Sequence, residues 1–96
     1  MNKTSDQKVF EIDGNTFNNL KEFFDVIGTQ LTENNRWGKN WNALNDILRG
    51  GFVKTEYEEP FRLIWKNSGV SRKTLTDFED IVSLIKSHEH IDLELK

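Results

Sequence analysis

Trp37-Gly38-Lys39-Asn40-Trp41-Asn42-Ala43-Leu44-Asn45-Asp46, closed by Arg49-Gly50-Gly51-Phe52, is the stretch on which the reading of this chain turns. Asn40 is a strong N-cap type, because its side-chain oxygen can accept from a first-turn amide that no helical carbonyl reaches. A helix begun there places Trp41, Leu44, Ile47 and Leu48 on one face and points Asn42, Asn45, Asp46 and Arg49 to water. Residues four apart sit one above the other, so Asn42 and Asp46 form an exposed amide–carboxylate pair beside a loop holding Arg36, Trp37 and Gly38. Gly50 and Gly51 stop the helix, since glycine takes left-handed backbone at little cost, and Phe52 is expected to dock back on the helix end. The apolar side belongs to a core. The polar side is better suited to gripping a partner.

Outward from this stretch, the periodicities alternate between strand and helix. Val9-Phe10-Glu11-Ile12 reads as a short strand followed by a turn at Asp13-Gly14. Asn19 with Glu22 three residues later forms a capping-box pattern, and Leu20, Phe23, Phe24 and Ile27 repeat behind it at helical spacing. On the other side, Pro60 can open a strand because no amide donor is needed there, and Phe61, Leu63 and Trp65 then alternate with Arg62 and Ile64. Apolar residues on both faces at Leu63 and Ile64 predict a strand that is central or covered on both sides. A short helical turn is expected over Ser71 to Leu75. Thr76 with Glu79 forms a second capping-box pattern ahead of a stripe at Phe78, Ile81, Val82 and Ile85. Ile91 to Leu95 alternates as a closing strand whose acids imply one exposed sheet face or an edge.

Strands separated by helices predict parallel pairing, since a parallel neighbour needs a connection longer than a hairpin. The expected fold class is α/β: a three-stranded parallel sheet packed with four helices, in the order β-α-α-β-α-α-β. Residues 1–7 are polar and expected to be a flexible tail; 8–96 form a single domain.

The central stretch resembles the aromatic-Gly-x-Asn-x-Asp-Ala-Leu-x-Asp segment of the barstars, small intracellular inhibitors of secreted bacterial ribonucleases. Trp37 stands for the aromatic, Gly38 and Asn40 for the loop and cap, Ala43 and Leu44 for the helix core, and Asp46 for the last carboxylate. Asn42 departs from the pattern, keeping the shape and an acceptor oxygen of the family's first aspartate but giving up its charge. The resemblance extends in element order from Val9 to Leu95, with Pro60 to Trp65 similar to the family's Pro-led strand ending in Trp. It implies an inhibitor whose Asp46 enters a ribonuclease active site and stands in for a phosphate among arginines and a histidine. Asn42 would be a neutral neighbour, with Trp37 and Gly38 as a loop wedge. Arg36, Asn45, Arg49 and Gly50 would complete the partner-binding surface. The resemblance leaves the family's further acidic contact from its last helix unplaced, since Lys86 and Ser87 fall near that place and neither is acidic.

Composition bounds the alternatives. Ninety-six residues make one domain with a modest core, to which three Trp and seven Phe bring large apolar side chains. The absence of Cys fits a reducing cytoplasm. A formal net charge of −3 argues against direct nucleic-acid or anionic-membrane binding and favours a basic partner. The expected partner is an extracellular-type bacterial ribonuclease, or a related protein toxin met by an immunity or regulatory domain using the same surface; the free protein is expected to be a monomer without cofactors. Trp37 reads either as an interface anchor or as a lid on the core, whereas Trp41 and Trp65 are assigned to the core. Glu56, Glu58 and Glu59 around Tyr57 form either a solvated loop or an extension of an acidic docking surface. His88-Glu89-His90 resembles metal ligands only superficially, lacking a third ligand at a suitable spacing, and reads better as a helix-end loop with His88 at the helix's negative end. No nucleophile–base or phosphate-loop pattern is present, so an enzyme is not expected.

Overall fold

Phe61, Leu63 and Trp65 are fully buried in β2 (Phe61–Lys66), while Arg62 and Lys66 face solvent. That two-residue alternation marks a strand with one covered face. β2 is the middle of a parallel sheet, flanked by β1 (Lys8–Asp13) and β3 (Ile91–Leu95), with Phe10 opposite Leu63 and Leu63 opposite Leu93. The long connections that parallel pairing requires are helical: α1 (Leu20–Leu31) and α2 (Trp41–Arg49) join β1 to β2, and α3 (Ser68–Thr74) and α4 (Phe78–Lys86) join β2 to β3. The α/β order expected from the sequence is therefore the one present. The computed structural model describes residues 7–96, so the expected tail lies, Gln7 apart, outside the described residues. No helix among the described residues is long and apolar enough to cross a membrane.

The core is built around Trp65. Its ring stacks on Phe23 at 5.5 Å and meets Phe78 edge-on at 5.1 Å, with Phe17 tilted against it at 5.8 Å. A buried indole N–H needs an acceptor, and Trp65 Nε1 donates to the buried Ser71 Oγ at 3.0 Å. Burying such a cluster is the main stabilising term in a chain of this size. The opposite face of the sheet is open. There Arg62 pairs with Asp92 at 3.2 Å and approaches Glu94 at 3.9 Å, and Lys66 pairs with Glu11 at 3.6 Å. β2 is thus central but covered on one side, with Ile64 half-buried among these ion pairs.

Several local expectations are corrected. α1 is capped as read, with Asn19 Oδ1 accepting from the Glu22 N–H, but Glu22 Oε1 reaches back to the Asn18 N–H instead of that of Asn19. The turn at Asp13-Gly14 is a short 3-10 turn over Gly14–Thr16, capped by Asp13. α3 begins at Ser68, three residues earlier than expected. Asn67 turns the chain with φ 54 and donates from Nδ2 to Asp13 Oδ1 at 2.9 Å, so the Asn-Ser-Gly run enters a helix instead of delaying it. Thr76 caps nothing: α4 starts at Phe78 without a side-chain cap, and Glu79 is taken by Arg72 at 2.9 Å.

Candidate functional site

α2 forms as its local signals dictate. Asn40 Oδ1 accepts from the Ala43 N–H at 2.8 Å, and at the other end the Gly50 N–H donates to the Asp46 carbonyl at 3.1 Å. Gly50 has φ 88, and a Cβ there would lie 2.4 Å from the Glu56 carbonyl oxygen, so the helix end requires glycine on two counts. Leu44, Ile47 and Leu48 are wholly buried and fix the inner side of the helix. Asn42 and Asp46 stand exposed on the outer side. Among the described residues neither side chain takes an ion pair or hydrogen bond, and Arg49 does not close on Asp46.

The expected surface needs four revisions. Trp41 is 37% exposed and only leans edge-on against Phe24, with centroids 6.1 Å apart. Helical side chains point toward the N-terminus, so a first-turn indole overhangs the core's edge instead of entering it. Asn45 and Arg49 do not simply point to water, since both are half-buried beside the loop after α4. Gly50 is buried beneath Thr55 and Glu56 and serves the helix end. Phe52 does not dock back: it is 67% exposed, because Gly50 and Gly51, with φ 88 and 104, carry the chain away and the Glu58 N–H already takes the Arg49 carbonyl at 2.7 Å.

Trp37 acts as a lid in this structure. Its half-buried ring meets Phe24 edge-on at 5.6 Å, and its Nε1 donates to Asn35 Oδ1 at 2.9 Å. A Cβ at Gly28 would fall 2.2 Å from that indole nitrogen, so α1 supplies glycine where the lid sits down. Gly38 and Arg36 remain exposed, and Lys39 ties the loop to α1 through Asp25 at 2.9 Å. In the following loop, Glu59 is structural: it accepts from the Glu56 N–H at 2.8 Å and pairs with Lys8 at 3.3 Å, which holds its carboxyl below the usual range. Glu56, Glu58 and the 65% exposed Tyr57 keep the loop's outer surface acidic and aromatic.

Recesses border α2 on the side of α4 and the loop after it. A cleft of about 580 Å³ lies among Asn45, Arg49, Glu58 and Ser87 to His90; a more open groove of about 440 Å³ lies among Trp41, Asn42, Asn45, Asp77, Asp80 and Leu84. In the first, His88 Nε2 is 2.8 Å from Asn45 Oδ1 and His90 Nε2 is 2.9 Å from the Leu48 carbonyl. Burial lowers the pKa of His88 below its ordinary value, with the neighbouring His90 and Arg49 acting the same way and Glu58 against them. Among the described residues no three His, Asp or Glu side chains gather as metal ligands. Sequence reasoning missed the His88–Asn45 contact and the exposed Trp41 and Phe52. Residues 45 and 88 carry no local pattern that would join them.

A family model described as Barstar (barnase inhibitor) matches residues 7–94. The chain belongs to the barstar family. No curated protein sequence matches it. The match spans both helix pairs, β1, β2 and all but the last residue of β3, so the barstar assignment covers nearly the whole described fold and not the α2 segment alone. Within this barstar-family chain, Asp46 is exposed and Trp37 is half-buried.

Proposed function

We propose that this chain inhibits a ribonuclease by covering its active site with α2 and the 36–40 loop, the Asp46 carboxylate taking the place of a substrate phosphate. The observation that carries this reading is Asp46 itself: a carboxylate exposed and unpaired among the described residues, on a helix whose inner side is locked into the core. A ribonuclease binds phosphate with cationic donors, and a carboxylate offers two acceptor oxygens to the same donors in short, charge-assisted hydrogen bonds. A helix already held in place has little conformational freedom left to lose on binding. Asp77 and Asp80, across the groove from Asn42, supply negative charge on the side where Asn42 lacks it. Their attraction for a basic enzyme acts over roughly a Debye length, about 8 Å at physiological salt. Trp41, Phe52 and Tyr57 are exposed aromatics available as anchors, a residue type enriched at binding hot spots. The protein would act as a monomer in the cytoplasm, one inhibitor to one nuclease, without a cofactor.

The test is a titration of barnase, assayed by RNA cleavage. The expected result is loss of activity that ends near one equivalent; activity unaffected by several equivalents would overturn the proposal. A second reading follows from the neutral Asn42 and from Arg49, which together make this face less acidic than a basic nuclease would favour. On that reading the same surface serves an immunity or regulatory domain for a different protein toxin. It predicts no inhibition of barnase and binding to a less basic toxin that Asp46→Ala weakens.

A further inference from the structure

Two histidines from one loop hold the outward helix. They follow α4 directly, and their rings meet edge to face at 5.6 Å. A backbone carbonyl can only accept, so His90 donates from Nε2 to the Leu48 oxygen and closes a carbonyl in the last turn of α2 that has no helical amide to accept from. Asn45 is a different case, because a carboxamide has a donor at one end and an acceptor at the other. In the arrangement present, His88 Nε2–H donates to Oδ1, which commits the oxygen to the loop and leaves Nδ2 free. Nδ2 takes no hydrogen bond among the described residues and keeps contact with solvent: there, Thr55 Oγ1 is the one buried side-chain polar atom without a partner.

We propose that His88 is a positioning residue for partner recognition, holding the Asn45 carboxamide so that Nδ2 is presented as a hydrogen-bond donor to an acceptor oxygen on the bound nuclease. This rests on the inhibitor reading of α2. Asn45 lies three residues after Asn42 and lines the same groove, so it is part of the same helix surface. It also borders both recesses, where the side chain can meet His88 on one side and a partner on the other. Turning the amide over would present an acceptor in place of the donor on the side that a partner can reach. The proton position on His88 decides between the two: with the proton on Nε2 the ring donates and the amide nitrogen faces out, whereas with the proton on Nδ1 the ring accepts and the amide reverses.

The experiment has a partner-free arm and an inhibition arm, both on the full chain. Long-range proton–nitrogen NMR at pH 8 is expected to find His88 protonated on Nε2; a proton on Nδ1 would overturn the proposal. Inhibition constants against barnase are then compared for the parent, His88→Ala, Asn45→Ala and the double variant. Each single variant is expected to weaken inhibition about tenfold, and the double variant no further, because His88 acts through Asn45. His88→Gln, whose amide can donate to the same oxygen, should recover inhibition to within about threefold of the parent. Unchanged inhibition by His88→Ala, or losses that multiply in the double variant, would overturn the positioning role. If the parent fails to inhibit barnase while the Nε2 proton is found, the inhibitor reading falls and the presentation to a nuclease with it, but the His88–Asn45 contact stands.

Discussion

The open face of the sheet and the outer side of α2 are both solvent-facing and both charged, yet they dispose of their charge in opposite ways. On the sheet, Arg62 meets Asp92 and Glu94, Lys66 meets Glu11, and Asp13 is held by Asn67 and the Asn15 amide. Each of these charges has a partner within the fold and leaves little for another protein to satisfy. On α2, Asn42 and Asp46 have no such partners among the described residues, and Asp77 and Asp80, which line the groove beside Asn42, carry charge of the same sign as Asp46. An exposed carboxylate is therefore informative only when its neighbours are known: one that is paired keeps the domain soluble, and one left alone on a rigid element is available to a cation from outside.

The largest effect should come from breaking the inner side of α2. Leu44→Ala removes a wholly buried side chain and is expected to cost about 2–5 kcal/mol of stability, read by denaturant unfolding. Affinity would then fall only as the folded fraction falls. Asp46→Ala reverses that pattern. Its affinity for the nuclease should drop by about 2 kcal/mol or more, the usual size of a hot-spot truncation and roughly thirtyfold. Its unfolding free energy should stay within about 0.5 kcal/mol of the parent, as for a surface substitution. Equal losses in both would make α2 no different from the sheet face.

Asn42→Asp sharpens the contrast from the other side. The new carboxylate sits in the first turn of α2, where the helix's positive end favours it and offsets repulsion from Asp46 by a few tenths of a kcal/mol. Affinity for a basic nuclease should rise by about 1 kcal/mol, roughly fivefold, with a steeper salt dependence seen by calorimetry. On the sheet, Arg62→Ala should change stability by at most about 1 kcal/mol and leave nuclease affinity unchanged, since exposed ion pairs contribute little.

The gentlest effect is on acid stability. The folded pKa of His88 lies below its ordinary value, so the unfolded chain binds more protons as the pH falls past about 6.5, and stability declines from there down through the folded value. Asp13, held low first by the Asn67 amide, and Glu59, held low first by the Glu56 N–H, add a second decline in the carboxylate range. His88→Gln is expected to abolish the first decline and leave the second, measured by thermal melts across pH.

What could be read from the sequence was what depends on near neighbours. Asn40 and the Gly50-Gly51 pair define both ends of α2 within a dozen residues, and the alternation of Phe61, Leu63 and Trp65 identifies the central strand. Burial of Trp41 was misread because an amphipathic stripe shows which way a side chain faces but not where the core ends. The Thr76–Glu79 box failed because Arg72, on another helix, takes Glu79 and stacks over Phe78 at 4.7 Å. Phe52 was misplaced because two consecutive positive-φ glycines decide the loop's direction. The histidine loop's hold on α2 was invisible for a simpler reason: tertiary packing alone brings residue 88 to residue 45.

The phosphate-substitution claim is tested most directly by competition. The affinity of the chain for barnase would be measured at rising concentrations of a 3′-mononucleotide, which occupies the enzyme's phosphate site. Apparent affinity of the parent should weaken in direct proportion to nucleotide occupancy, and Asp46→Ala should lose most of that sensitivity; tight binding that is indifferent to the nucleotide, with Asp46 intact, would contradict the account.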